Sequence, residues 1–516
     1  MEHLLDRFRA AWGPAFVSKA RRFAPRRLTE HEHILNAQDA GPGRILALVP
    51  AHNEEALIGE TLHSLAEQTR PVREVIVVAD RCTDRTAAVS TAHGARVFET
   101  VGNTQAKAGA LNQALAALLP GLSDDDAILI MDADGSVAPE FVAQAANRLR
   151  YQEDDQAPIG GVGGIFFGHP LKGLVPHLQN NEYVRYAREI ERRHARADVL
   201  TGTVTLFPVK ALRHVQQARA AGMLPEGTEV YDVEALTEDN ELTLALKHLG
   251  YRCVSPRACL VGTELMPTWS RLFHQRLRWQ RGALENLRAY GMTRVTTLYL
   301  ARQLLMHLSV AFIPFYLTVL LYTVLTQRFP GWLWFWVAVT GVAVFERVWA
   351  AKRGGWRSLL LAALIVPEIL YDMFLNVVYV KALIDTVTGA RRTWERAPPA
   401  GSGTRHRRRR ELIVVAACTA ALLAAVVALA LVCAWLGIAW PLIGVFVLCG
   451  VAAGALRLSR LYPSGLFLAS GEQLHRGDDF TPPARPPGLG GHTARRPTPT
   501  KHRTKHRTKH HKAKVG

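Results

Sequence analysis

Short apolar runs alternate with segments of helical spacing through the first 135 residues. The runs "RILALVP" (44–50), "EVIVVAD" (74–80), "ARVFET" (95–100) and "AILIMDA" (127–133) read as buried strands. Between the first two, "EEALIGETLHSLAEQ" (54–68) has helical spacing at Leu57, Leu62 and Leu65. "DRTAAVSTAHG" (84–94) reads as a helix closed by Gly94, a residue favoured just past a helix end, and "GALNQALAALL" (109–119) as another helix. The alternation predicts an α/β fold with a mostly parallel sheet covered by helices. Ligands of such sheets sit beyond the carboxyl ends of the strands. Pro50–Glu54, Asp80 and Asp132–Asp134 therefore share one rim.

After residue 303 the pattern changes to long apolar runs. Leu304–Thr326, Trp332–Ala350 and Leu412–Trp435 are each near the roughly 20 residues a spanning helix needs, and Pro441–Leu456 is shorter. Leu359–Ile384 is interrupted by Pro367, Glu368, Asp372 and Lys381. These features divide the chain into an N-terminal arm (1–43), an α/β domain (44–295), a membrane domain (296–457) and a basic tail (458–516). The arm lacks the uninterrupted apolar core of a secretory signal, and reads as a solvated or interfacial basic segment.

The formal charge of +18 is concentrated: residues 391–410 carry +7 and residues 482–516 carry +10. Both stretches adjoin apolar runs, and basic residues beside spans mark the cytoplasmic side. This location argues for a membrane partner and against nucleic acid. If Leu359–Ile384 crossed fully, the first basic stretch would lie outside. Four crossings with that segment interfacial or re-entrant keep both stretches cytoplasmic. The Lys/Arg/His-rich tail is low-complexity and reads as disordered. Six cysteines without CxxC spacing indicate neither a disulfide framework nor a zinc site.

The rim lacks the glycines of a dinucleotide site, since "PAHNEE" follows the first strand, and no GxxxxGK[ST] phosphate loop occurs. It carries acids instead. Asp132 and Asp134 could belong to an Asp-Gly turn alone. Acids facing a phosphorylated ligand repel it unless a hard cation intervenes, and Mg²⁺ or Mn²⁺ takes one or two carboxylates plus phosphate oxygens. The pair makes sense if such a metal bridges Asp134 to a diphosphate, with Lys107 adding positive charge. In "LTEDNELTLALKHLGY" (236–251), Leu242, Ala245, Leu246 and Leu249 form one helix face that Gly250 ends. Asp239 then lies at or just before the helix start, where an acid meets the dipole favourably by about 0.3–1 kcal/mol. "TWSRLFHQRLRWQRG" (268–282) has the aromatic and basic spacing of a helix lying at a membrane surface.

The ordered set "VPAHNEE", "VVADRCTD", "KAGALN", "MDADG", "LTEDNELT" and "QRLRW" resembles membrane-bound family-2 glycosyltransferases of GT-A fold, whose relatives include cellulose, hyaluronan, chitin and poly-N-acetylglucosamine synthases. The resemblance covers roughly residues 44–290. It implies that Pro50, Glu54 and Asp80 contact the nucleoside, that Lys107 lies by the diphosphate, and that Asp132 lies near the ribose and metal. It places Asp134 on the metal and makes Asp239 the catalytic base. Gln275, Arg278 and Trp279 match QxxRW, which in the family sits by the diphosphate and acceptor with the Trp under a sugar ring. "TGTVTLF" (201–207) resembles the strand lining the acceptor cleft, with Gly202 and Thr203 there. The sequence departs from the family at Ala79–Asp80, where many members have two successive Asp residues.

The activity implied is inverting, metal-dependent transfer of N-acetylglucosamine or glucose from a UDP-sugar to a growing poly- or oligosaccharide. The catalytic domain would be cytoplasmic at the plasma membrane. A polyprenyl-phosphate or lipid glycosyltransferase, with a lipid-linked acceptor, is one alternative. A non-catalytic sugar-nucleotide sensor or scaffold is another.

Overall fold

The computed structural model describes residues 43–150, 157–169, 172–225, 227–326, 333–352, 355–389 and 405–445. The N-terminal arm, the basic linker before residue 405, most of the expected Pro441–Leu456 span and the basic tail lie outside the described residues.

The α/β half begins β1 (Ile45–Ala51), α1 (Ile58–Ala66), β2 (Glu74–Ala79), α2 (Thr86–Ala92), β3 (Arg96–Glu99), α3 (Ala106–Leu118), β4 (Ala127–Met131). It continues β5 (Ser136–Val137), α4 (Phe141–Arg150), β6 (Ile159–Gly163), β7 (Ile165–His169), α5 (Leu174–Arg192), β8 (Val204–Pro208) and α6 (Val209–Ala220). It closes with α7 (Glu238–His248), β9 (Arg252–Val254), β10 (Leu260–Glu264) and α8 (Trp269–Tyr290). Seven strands form one sheet in the order β3-β2-β1-β4-β8-β6-β9, and β5-β10-β7 form a small second sheet.

Successive side chains of a strand point to opposite faces, and here both faces are apolar. Leu46, Leu48, Ile76 and Ile128 pack with Leu111 and Leu115 of α3 on one side. Ala47, Val49, Val77 and Leu129 pack with Ile58 and Leu62 of α1 and Phe141 of α4 on the other. The core is thus two layers of helix on one sheet. The first four strands in the order are mutually parallel. β8 then enters antiparallel to β4, with Met131 opposite Val204. That reversal brings the residues just before β8 to the carboxyl end of β4.

The C-terminal half is helical: α9 (Arg294–Leu325), α10 (Leu333–Ala351), α11 (Trp356–Leu364), α12 (Val366–Thr388) and α13 (Arg405–Trp435). By length and composition α9 and α10 can cross a membrane, and up to four such elements exist if each bent pair counts as one. The exposed Leu304, Leu308, Leu321 and Leu325 give α9 an apolar outer surface. α11 and α12 bend by 79° at their junction, and Thr419–Trp435 and Ala439–Val445 bend by 113°. At the first bend Ile365 takes φ +59°, a conformation costly for a β-branched residue.

The acids that interrupt the apolar run at 359–384 have partners from distant segments. Glu368 receives Arg185 Nη1 at 2.9 Å and Arg347 Nε at 3.1 Å. Asp372 receives Arg347 Nη2 at 2.8 Å and Arg185 Nη2 at 3.4 Å. α12 lies along α8: Trp269 and Phe273 meet Phe374, and Leu284 meets Tyr379 and Ala382.

Candidate active site

The acidic loop after β4 is fixed by hydrogen bonds rather than left as an open turn. The Thr61 hydroxyl of α1 points at the carbonyls of Ala133 (2.7 Å) and Gly135 (2.8 Å). Asp132 N–H donates to Thr203 O at 3.0 Å, so β8's approach segment is tied to the same loop. Asp134 is exposed at the tip and Asp132 half-buried.

At the ends of β1 and β2 the expected nucleoside residues come together. Asp80 is buried, and its Oδ1 accepts from Thr100 Oγ1 (2.8 Å) and Asn103 Nδ2 (2.9 Å). His52 Nδ1 lies 2.6 Å from Asp80 O, and Glu54 N–H donates to Thr86 Oγ1 at 2.8 Å. Gly109 in "KAGALN" has a local cause: a Cβ there would sit 2.3 Å from Asn103 Oδ1. Only glycine lets α3 approach the asparagine that holds Asp80. Pro50 is the last residue but one of β1, and Asn53 and Arg81 adopt positive φ of 55° and 48°. Such conformations concentrate where a rim is shaped for a ligand.

Lys107 sits at the centre of the acids. Its Nζ is 2.6 Å from Asp132 Oδ1 and 2.9 Å from Glu238 Oε1. Burial opposes its charge, but Asp132 and Glu238 more than compensate and raise its pKa well above the usual lysine value. Burial raises Asp132 to about 6 against the pull of Lys107. Asp239 is also raised to about 6, by burial first and by the neighbouring Glu238 second, with Lys107 opposing. Glu238 itself stays low: burial disfavours its charge, yet Lys107 outweighs it.

The helix carrying this pair starts at Glu238, so Asp239 lies inside the first turn of α7. Its oxygens accept from Gly202 N (2.9 Å) and Asn240 N (2.8 Å). A Cβ on Gly202 would lie 3.1 Å from Asp239 Oδ2 and 3.3 Å from Lys107 Nζ. Gly202, Thr205, Tyr231, Lys107, Glu238 and Asp239 line one small cavity. α7 is anchored beneath: Arg219 Nη2 meets Glu241 Oε2 at 2.5 Å, and Tyr290 OH donates to Glu241 Oε1 at 2.6 Å.

Among the described residues no three His, Cys, Asp or Glu side chains form a metal cage. Two carboxylates at alternate positions, one exposed, nonetheless suit a hard divalent cation whose other ligands are diphosphate oxygens and water. The residues present fit that kind of site.

α8 joins the site through Gly282. A Cβ there would lie 2.3 Å from Thr237 Oγ1 and 2.6 Å from Thr237 Cγ2. Asn286 Nδ2 donates to Asn240 Oδ1 at 3.0 Å and approaches Thr237 O at 3.3 Å. The QxxRW segment is thus docked on the "TED" turn. Arg278 is exposed, and its charge helps keep Glu238 ionised. Trp279 is half-buried under the Arg276 guanidinium, 4.4 Å from the ring centroid. Gln275 is half-buried, and its Oε1 has no hydrogen-bond partner among the described residues. Gly282→Ala is expected to overpack this contact at a cost of about 1–3 kcal/mol and to reduce transfer. Thermal unfolding and turnover of the variant check this; wild-type values for both would refute the docking role.

Four supporting residues escaped the sequence reading: Glu238, Thr61, Asn103 and Gly282. Glu238 adjoins Asp239 and Gly282 ends the QRLRWQRG stretch, so adjacency was a usable signal. Thr61 and Asn103 carry none.

The α/β rim with its carboxylate pair, lysine-balanced Glu-Asp pair and Arg/Trp helix lies within a glycosyltransferase domain of GT-A fold. Residues 42–282 match the family "Glycosyltransferase like family 2", so the chain carries a family-2 glycosyltransferase domain. "Probable glycosyltransferase YdaM" of Bacillus subtilis is 27% identical over 249 residues, which are 46% of this chain and 55% of that protein. The chain thus spans about half the length of that relative. "4,4'-diaponeurosporenoate glycosyltransferase" of Staphylococcus aureus is 47% identical over 60 residues, 12% of this chain and 16% of that one. Among solved structures, the mannosyltransferase PcManGT from Pyrobaculum calidifontis, in complex with GDP-Man and Mn2+, aligns with TM-score 0.42 and 19% identity, covering 76% of this chain and 99% of that one.

Proposed function

We propose that the protein is an inverting, metal-dependent glycosyltransferase that moves N-acetylglucosamine or glucose from a UDP-sugar to a growing saccharide at a membrane. The observation that carries this reading is Asp239, held by two backbone N–H groups beside Lys107 and Glu238. An acceptor hydroxyl is a poor nucleophile until its proton leaves. As its oxygen bonds to the anomeric carbon, the bond from that carbon to the diphosphate breaks, the proton passes to Asp239, and UDP departs. Attack from the face opposite UDP inverts the configuration. Pro50, Glu54 and Asp80 hold the nucleoside, and Gly202 and Thr203 line the acceptor side. Gln275, Arg278 and Lys107 face the diphosphate. Asp134 and Asp132 would hold Mg²⁺ or Mn²⁺, which when bound offsets the charge developing on the leaving diphosphate. UDP release from UDP-N-acetylglucosamine and UDP-glucose, with Mn²⁺ and with chelator, tests the reading. Release that ignores the chelator, or none from either donor, contradicts it.

We place the catalytic domain on the cytoplasmic side. α9 starts and α10 ends against that domain: Arg302 meets Asp198 at 2.6 Å, and Arg347 meets the acids that Arg185 of α5 also holds. α9 therefore leads away and α10 returns, with α12 interfacial or re-entrant along α8. Cysteines placed at Thr326 and Leu436 are expected to react with a membrane-impermeant reagent in intact cells, and those at Lys352 and Thr388 are not. The reverse pattern would overturn the orientation.

A further inference from the structure

Arg276 lies inside the QxxRW stretch but is not one of its expected ligand residues. Three helices supply its neighbours, while its buried Nε has no hydrogen-bond partner among the described residues. The residue is 6% exposed, and Nη2 donates to Glu182 Oε2 of α5 at 2.8 Å. The Tyr371 hydroxyl of α12 donates to the same carboxylate oxygen. The guanidinium lies 4.4 Å from the Trp279 ring centroid and 5.7 Å from that of Tyr183. Tyr371 is fully buried, one turn from Glu368 and next to Asp372, both of which are tied to Arg185 and Arg347.

A buried guanidinium needs a paired acid, and a planar one lying on an indole face fixes that ring electrostatically. Lysine lacks the flat fork that serves both contacts at once. α5, α8 and α12 therefore meet at one side chain, whose aromatic neighbour on α8 is Trp279. With Arg276 on one face of the indole, a sugar ring can stack only on the other.

We propose that Arg276 is a positioning residue for Trp279, clamped by Glu182 and Tyr371, so that α12 sets the surface on which the acceptor saccharide stacks. The proposal rests on the reading of Trp279 as the acceptor platform, and its test separates the two. The full chain is labelled with 5-fluorotryptophan in detergent, and the Trp279 resonance is assigned among the eleven tryptophans by its loss in Trp279→Phe. Glu182→Gln and the milder Tyr371→Phe, which removes one hydroxyl, are compared with wild type by fluorine NMR. They are also compared in transfer from UDP-N-acetylglucosamine to a β-1,4-linked N-acetylglucosamine disaccharide.

Both variants are expected to shift the Trp279 resonance and raise the KM for the disaccharide about tenfold, with donor hydrolysis within about twofold of wild type. Arg276→Lys should restore less than half of the affinity that Arg276→Gln loses. An unmoved Trp279 resonance in both folded variants overturns the clamp. A moved resonance with unchanged disaccharide KM, or with hydrolysis lost in parallel, overturns its role in acceptor positioning. If the wild type hydrolyses the donor but never transfers to the disaccharide, the acceptor reading fails, and the resonance alone still decides the clamp.

Discussion

Replacing Asp239 by asparagine is expected to lower sugar transfer by about 10²–10⁴-fold while leaving Mn²⁺-dependent UDP binding intact. The loss follows because Asp239, beside Gly202 in the cavity, is the carboxylate there whose burial readies it to take a proton. Burial, with Glu238 adding to it, holds Asp239 near 6, so it is ionised at neutral pH yet basic enough to accept. Asp134→Asn should do the opposite: it should weaken UDP binding in the presence of metal, since Asp134 stands exposed on the loop that Thr61 braces. Calorimetric titration of UDP with Mn²⁺ separates them. Lost binding in Asp239→Asn with retained binding in Asp134→Asn would reverse the assignment.

The same side chain sets a pH dependence. A base must be ionised in the free enzyme, so kcat/KM should fall as pH drops through about 6. Removing Glu238, whose charge raises Asp239, should move this limb to lower pH in Glu238→Gln.

Lys107→Met is expected to be the most damaging change to the fold around the site. It leaves Asp132, Glu238 and Asp239 close together without their shared cation. Breaking a fully buried pair costs roughly 3–5 kcal/mol, and the partial exposure of this one makes the loss smaller. The sign with pH is definite. Asp132 and Asp239 are already raised in the folded state, so they favour folding below their unfolded pKa, and that contribution is lost as pH rises through about 6. Without Lys107 both rise further. The variant should therefore fall furthest behind wild type at pH 8, and less at pH 5. Its kcat/KM limb should also move upward. Thermal melts at the two pH values and a pH–rate profile check this; an equal deficit at both pH values, with an unmoved limb, would refute the charge-balancing role.

The regular alternation of strands and helices was legible because both faces of β1, β2 and β4 are buried, which makes each strand a continuous apolar run. The rim residues followed from strand ends alone. The antiparallel entry of β8 was not legible, since pairing direction leaves no mark on the residues of a short apolar strand. It is this reversal that puts Thr203 against Asp132. Lys107 was readable as a cation at the rim. Its two carboxylate partners were not, because Glu238 arrives from a segment far along the chain.

The same limit applies to the charged apolar run at 359–384. The sequence displayed Glu368 and Asp372 as a polar cost in a membrane. Their partner Arg185 is 187 residues from Asp372, on a helix of the catalytic domain. Gly282 shows a milder version: its place after QRLRWQ is visible, but the need for no side chain comes from Thr237 on another element.

The most direct test of the central claim is mass spectrometry of products formed by the purified full chain in detergent with UDP-N-acetylglucosamine or UDP-glucose, Mn²⁺ and saccharide acceptors. Acceptor extended by hexose or N-acetylhexosamine units, absent with Asp239→Asn and with chelator, is the predicted result. Tight Mn²⁺-dependent UDP binding with no extended acceptor from either donor would contradict transferase activity and favour a sugar-nucleotide sensor.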